Sequence, residues 1–144
     1  MDIHVLLFLS PSDEENNSKY GIIIYGLTSK KSTMTGSLSY EDTKTKYLFL
    51  LHKLFSTLSV DSSNRIFRSI IIYSEYSFLH DLWKEITIAD NSNKILSTES
   101  TYNKLLASCL FFVKKYMAVI KVITITEDEY FDSFRKEIVK YLEL

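Results

Sequence analysis

Glu75 is the acidic residue whose position is most suggestive of chemistry. It follows the apolar run Ile70–Tyr73 after a single serine, and apolar residues at helical spacing begin three residues later. In α/β proteins, ligands and catalytic groups gather at the carboxyl ends of central strands. Glu75 is therefore a candidate functional carboxylate. The competing interpretation is a solvent-exposed acid that stabilises the start of the next helix.

The other reactive side chains form no recognisable catalytic or metal-binding motif. His4, His52 and His80 are far apart and lack metal-ligand spacing, so His52 is interpreted as a hydrogen-bonded structural histidine. Ser10 lies in no nucleophile-elbow motif. The single cysteine, Cys109, excludes an internal disulfide, and its apolar neighbours predict a core residue.

Two pairs of lysines could contact phosphates. Lys44 and Lys46 lie near the start of one predicted helix, whereas Lys114 and Lys115 end another, and Tyr76 could stack on a base. Lysines that end a helix are also expected from the helix macrodipole alone. The simpler interpretation, without a role in phosphate binding, is therefore preferred for these lysines.

Length and composition predict a single globular domain over residues 1–144, with 46% hydrophobic and 24% charged residues. The formal net charge of −1 gives no overall basic field, so nucleic-acid binding would need a local patch. The chain begins Met1-Asp2, an acid where a targeting peptide needs bases, and no apolar run reaches the length of a membrane span. We expect an intracellular protein, cytoplasmic or nuclear, without a membrane partner.

Hydrophobic periodicity divides the chain into nine elements. The predicted strands are His4–Leu9, Tyr20–Tyr25, Met34–Tyr40, Ile70–Tyr73 and Val119–Thr126. The predicted helices run from Glu41 to about Leu58, from Ser77 to near Ile86, over Thr101–Met117 and over Glu127–Leu142, with a loop at Ile88–Ser100. The unbroken apolar run Ile70–Tyr73 predicts a central strand that is covered on both faces.

The element order β-β-β-α-β-α-α-β-α resembles that of the ribonuclease H fold. Lys19-Tyr20-Gly21-Ile22-Ile23 is similar to the family's second strand, and Ile70–Leu79 is similar to its fourth strand and the helix start that follows. The resemblance covers nearly the whole chain. It implies an α/β fold with a mixed five-stranded sheet and helices on both faces.

That family hydrolyses RNA paired to DNA with two magnesium ions about 4 Å apart, held by three or four carboxylates. The resemblance places these carboxylates at Ser10, Tyr47, Glu75 and Lys136, and only Glu75 is acidic. A shift of one helical turn would place Asp132 at the last position. Because magnesium binds through carboxylates, the resemblance implies a catalytically degenerate member with no metal and no cofactor.

The C-terminal helix is the predicted partner surface. The 10 tyrosines and 9 phenylalanines of the chain exceed what one small core usually holds. Tyr130 and Tyr141 would remain partly exposed beside Arg135, and aromatic residues next to arginine are typical of interface hot spots. We predict that Tyr130, Arg135 and Tyr141 bind a protein partner together with the Glu75 edge. The alternative is that these aromatic residues belong to the core.

Three functions are compatible with the sequence. The first is a non-catalytic ribonuclease H-like module that serves as a protein-interaction or scaffold subunit of a larger assembly, in which RNA or an RNA–DNA hybrid is a second class of partner. The second is an active nuclease with relocated carboxylates, drawn from Glu75, Glu127, Asp128 and Asp132. The third is a longin-like adaptor, which lacks the two helices predicted between the fourth and fifth strands.

Overall fold

Five strands and three helices make up the described part of the chain. A computed structural model describes residues 2–26, 32–61, 67–74, 76, 79–91, 100–124 and 136. The strands are β1 (Asp2–Leu9), β2 (Ser18–Tyr25), β3 (Ser32–Leu38), β4 (Ser69–Ser74) and β5 (Ile120–Thr124). The helices are α1 (Thr43–Asp61), α2 (Leu79–Asn91) and α3 (Thr101–Tyr116), and a 3₁₀ turn, Met117–Val119, precedes β5.

The strands form one mixed sheet in the order β3-β2-β1-β4-β5. β1, β2 and β3 are antiparallel neighbours, whereas β4 lies parallel to both β1 and β5. β1 is thus the middle strand, and β3 and β5 are the edge strands. The mixed five-stranded α/β sheet and the element order through β5 are confirmed.

The connection between β1 and β2 is a tight polar turn, in agreement with its composition. The Asp13 carboxylate accepts hydrogen bonds from the backbone N–H groups of Glu15 and Asn17, both at 2.9 Å. These bonds, led by that from Asn17, lower the pKa of Asp13. Asn16 takes a positive φ of 64°, which asparagine tolerates better than most residues. The turn fixes where β2 begins.

β4 is covered unequally on its two faces. Ile70 and Ile72 are fully buried, whereas Ile71 and Tyr73 are only half-buried. The first pair faces the large core that contains residues of α1, α2 and α3. On the opposite face a smaller cluster contains Leu6, Ile23 and the partly buried Phe8, Tyr25 and Tyr73. All three described helices pack on the first face. For the opposite face the prediction of cover stays a prediction, because the predicted terminal helix lies outside the described residues except for Lys136.

The first helix, α1, is the central element of the large core. Asp42 caps it by accepting a hydrogen bond from the Lys44 N–H at 2.9 Å and one from the Thr45 hydroxyl at 2.5 Å. Six of its apolar side chains are at most 1% exposed: Leu48, Leu50, Leu51, Leu54, Phe55 and Leu58. The Phe55 ring stacks on Phe112 of α3 with centroids 4.9 Å apart. α1 is apolar over such a wide arc because it contacts both the sheet and α3.

Cys109 is a core residue, as predicted. Its Sγ lies 4.0 Å from the Leu48 carbonyl oxygen of α1, and burial raises the pKa of the thiol to about 12. The thiol therefore stays protonated and unreactive at neutral pH.

The structure differs from the prediction at the end of α2, and it describes only one residue of the predicted terminal helix. α2 continues to Asn91, so the prediction that it ends near Ile86 is wrong, and Ile88 lies in this helix instead of the predicted loop. Of the predicted terminal helix Glu127–Leu142, only Lys136 is described; it is helical and exposed. None of the described helices has the length and apolar character needed to cross a membrane.

Candidate site at the carboxyl ends of the first and fourth strands

The carboxyl ends of β1 and β4 lie side by side, because the two strands are parallel and Leu7 pairs with Ser74. Ser10 directly follows β1. Its hydroxyl oxygen accepts a hydrogen bond from the Lys19 N–H at 2.8 Å, and its own N–H donates to the Lys19 carbonyl at 2.8 Å. Ser10 therefore joins the end of β1 to the start of β2, and it supplies no negative charge there.

Lys46 places a positive charge inside this region. Its side chain is 0% exposed, and its Nζ donates hydrogen bonds to the hydroxyls of Ser12 and Ser18, each at 2.8 Å. The described residues place no carboxylate within ion-pair distance of this ammonium. Lys46 is buried because α1 directs this residue toward the β1–β2 turn.

Tyr47, the next residue of α1, packs against Tyr76, which lies two residues beyond the end of β4. Its ring is 5% exposed and stacks on Tyr76, with centroids 4.3 Å apart and planes 4° apart. The Tyr76 N–H donates to the fully buried Ser74 hydroxyl at 3.1 Å. Burial, and then the nearby carboxylates headed by Asp42, raise the pKa of Tyr76. We call Ser10, Lys46, Tyr47 and Tyr76 the strand-end site.

Beside this site, Lys44, Glu85 and Tyr102 form a polar cluster that connects α1, α2 and α3. The Glu85 carboxylate of α2 pairs with the Lys44 ammonium at 2.5 Å and accepts a hydrogen bond from the Tyr102 hydroxyl of α3. Burial alone would raise the pKa of Glu85, but these two donors outweigh it and lower that pKa. Burial and the Glu85 hydrogen bond raise the pKa of Tyr102. The negative charge of Glu85 is thus already compensated by the protein.

The described residues of the strand-end site do not fit magnesium. Magnesium requires oxygen ligands with negative charge, whereas this site offers an ammonium, a hydroxyl and two stacked phenol rings. Across the described ranges, no three His, Cys, Asp or Glu side chains are grouped so that they could hold a metal ion. Lys136 is exposed and provides no carboxylate.

Several predicted site residues lie outside the described residues. They are Glu75, Asp132, Tyr130, Arg135 and Tyr141, together with the alternative acids Glu127 and Asp128. Their roles stay predictions.

The sequence did not predict a groove between β3 and α1. Its volume is about 390 Å³, and it is lined by Met34, Phe49, His52, Lys53, Ser56 and Thr57. The buried Nδ1 of His52 has no hydrogen-bond partner among the described residues, so the expectation of a hydrogen-bonded structural histidine is wrong for this atom. Burial, followed by the charge of Lys53, lowers the pKa of His52 and favours the neutral imidazole.

The similarity of this chain to known proteins is detected in its structure and not in its sequence. No family model and no curated protein sequence matches the chain. LC11-RNase H1, isolated from compost by a metagenomic approach and solved in complex with an RNA/DNA hybrid, matches with a TM-score of 0.59. The match covers 87% of this chain and 86% of that chain at 7% identity. The chain has a ribonuclease H-like fold.

Two further structures support the ribonuclease H-like fold. The N-terminal RNase H domain of a Mycobacterium tuberculosis protein matches with a TM-score of 0.54 at 8% identity, over 88% of each chain. A foamy viral protease-reverse transcriptase in complex with dsDNA matches with a TM-score of 0.57 at 9% identity, over 92% of this chain and 84% of that chain. At such low identity the similarity establishes the fold alone, and the ribonuclease H-like fold replaces the longin-like alternative.

The position of Lys46 in α1 could have indicated from the sequence that this lysine is buried. Lys46 precedes Leu50 and Leu54 by four and eight residues, so it lies on the same apolar stripe of α1. A lysine on such a stripe has either to extend to solvent or to find polar partners inside. The hydroxyls of Ser12 and Ser18 provide those partners.

Proposed function

We propose that this chain is a non-catalytic ribonuclease H-like module that serves as a protein-interaction or scaffold subunit of a larger, nucleic-acid-handling assembly inside the cell. The observation that carries the proposal is the buried ammonium of Lys46 beside the carboxyl end of β1. A fixed positive charge there opposes the binding of divalent cations, which a two-metal hydrolase requires. The assembly is inferred from the matched structures, one of which contains an RNA/DNA hybrid and another dsDNA.

Hydrolysis of a labelled RNA–DNA hybrid in magnesium or manganese tests the non-catalytic part of this proposal. We expect no cleavage above the buffer background, because only Glu75 among the four expected positions is a carboxylate. A Glu75→Gln variant purified in the same way is the matched control, since a contaminating nuclease would act equally in both preparations. Cleavage by the unmodified protein that disappears in Glu75→Gln would show instead that relocated carboxylates form an active site.

The partner surface of this module is proposed to include Tyr130, Arg135 and Tyr141 beside Glu75. The double variant Tyr130→Ala/Arg135→Ala should lose affinity capture of its partner, identified by mass spectrometry, with an unchanged melting temperature. Lys121→Ala, at an exposed position of β5, is the matched control and should retain the partner. A large drop in melting temperature of the double variant would contradict the proposal, because it would place these side chains in the core.

A further inference from the structure

The outward face of α3 carries an exposed aromatic ring among lysines. Phe111 is 84% exposed, which is the largest value for a bulky apolar side chain in the described part of the chain. Lys104, Lys114 and Lys115 are exposed as well, and the sixteen residues of α3 include no acid. We call these four residues the α3 face.

Helix geometry aligns these side chains. At 3.6 residues per turn, the three lysines lie within roughly 60° of Phe111 around the helix axis, and Lys104 and Lys115 are about 16 Å apart along it. The intervening exposed residues are small, namely Ala107 and Ser108. The opposite side of α3 is the buried one, with Leu105, Leu106, Cys109, Leu110, Phe112 and Val113. The α3 face is thus a narrow outward stripe that the core does not use.

The helix macrodipole does not account for all of these charges. Lysines in the last turn, such as Lys114 and Lys115, are favoured there, but Lys104 lies in the first turn, where a cation is unfavourable. Within the described ranges no carboxylate lies at ion-pair distance from any of the three lysines. The Lys115 ammonium lies 5.2 Å from the centre of the Tyr116 ring. Among the described residues, the stripe is therefore a positive surface without a paired acid.

We propose that the α3 face binds single-stranded nucleic acid, with Phe111 stacking on a base and the lysines contacting phosphates. An isolated exposed ring suits a base, which presents a flat apolar face, and every base can stack in this way. A peptide anchor would need a pocket or an apolar cluster, whereas the other exposed residues on this face are lysines and the small Ala107 and Ser108. A duplex keeps its bases stacked on each other, so a ring reaches a base face there only at the cost of unstacking a base step.

This surface extends the proposed function but does not depend on it. Tyr116, at the end of α3, contacts Phe67 just before β4, with ring centroids 5.2 Å apart, so α3 ends at the amino ends of the parallel strands. The strand-end site lies at their carboxyl ends. Binding at the α3 face can therefore be lost or retained whether or not the chain hydrolyses a hybrid.

Fluorescence anisotropy with a labelled oligo(dT) at low salt tests this inference. We expect saturable binding that Phe111→Ala weakens by at least about fivefold, because stacking on one aromatic ring is lost. Replacing Lys104, Lys114 and Lys115 together with alanine should reduce the slope of log K against log salt by about 2. Ile88→Ala and Lys84→Ala, at exposed positions of α2, are matched controls and should bind like the unmodified protein.

Each of the following results would overturn the inference. The first is no binding of oligo(dT) or oligo(U) by a protein whose melting curve is normal. The second is equal affinity of the unmodified protein and Phe111→Ala, or equal affinity for a duplex of the same length. The third is displacement of the oligonucleotide by poly-L-glutamate with the same dependence on Phe111, which would assign the surface to an acidic polypeptide.

Discussion

Lys46 and Tyr47 are adjacent in α1, yet their side chains contact different strand ends. Lys46 reaches the hydroxyls of Ser12 and Ser18 in the β1–β2 region, whereas Tyr47 stacks on Tyr76 just beyond β4. Both side chains are buried. Two neighbouring residues of one helix thus place an ammonium at the β1–β2 turn and a phenol ring beside the end of β4.

Replacing Lys46 separates the role of its charge from that of its volume. Burying an ammonium without a carboxylate is costly, and the Ser12 and Ser18 oxygens, 3.4 Å apart, can pair with each other if it is removed. We therefore expect Lys46→Met to leave the free energy of unfolding in urea unchanged or increased. Lys46→Ala should lower it by about 2–5 kcal/mol because it opens a cavity. An equal loss in both variants would contradict this, because the ammonium hydrogen bonds would then be essential to the fold.

The burial and hydrogen-bond partners of individual side chains were the hardest features to predict from the sequence. The resemblance placed Ser10 and Tyr47 at positions of the family's carboxylates, and this assignment stays a prediction. The structure shows Ser10 hydrogen-bonded to Lys19 and Tyr47 stacked on Tyr76. The burial of Lys46 was not predicted, because lysines are rarely buried without an ionic partner. The unpaired Nδ1 of His52 depends on atomic surroundings that a sequence does not specify.

At the level of elements, periodicity predicted strands and helices better than it predicted how each is covered. A continuous run of isoleucines looks the same whether one face or both faces of a strand are packed. In β4 the packing alternates, with Ile70 and Ile72 buried and Ile71 half-buried. The end of α2 was missed for a related reason, since its last turns carry no apolar stripe to mark them.

Alanine substitutions in β4 measure how much the side chains on each of its two faces contribute to stability. Ile72→Ala should lower the free energy of unfolding by about 2–5 kcal/mol, because a fully buried side chain is removed from the large core. Ile71→Ala, one residue earlier in the same strand, should cost clearly less. Urea denaturation of both variants gives the comparison. Equal losses would mean that the second face of β4 is packed as tightly as the first.

At the scale of the whole molecule, the near-zero net charge conceals separated charges. A buried ammonium lies at the strand-end site, the Lys44–Glu85 pair joins α1 to α2, and three lysines line the α3 face. The sum of −1 is therefore a poor guide to local electrostatics. The ribonuclease H-like architecture, in contrast, followed from element order, which depends on the pattern of the whole chain and tolerates errors at single residues.

Manganese binding is the most direct test of the claim that this fold has no metal centre here. Electron paramagnetic resonance reports free hydrated Mn²⁺, whose signal falls when the ion binds a protein. We predict that the unmodified protein at millimolar concentration leaves this signal unchanged, because an ammonium and a tyrosine stack stand where carboxylates would be needed. A stoichiometric loss of the free Mn²⁺ signal that is abolished in Glu75→Gln would contradict the account.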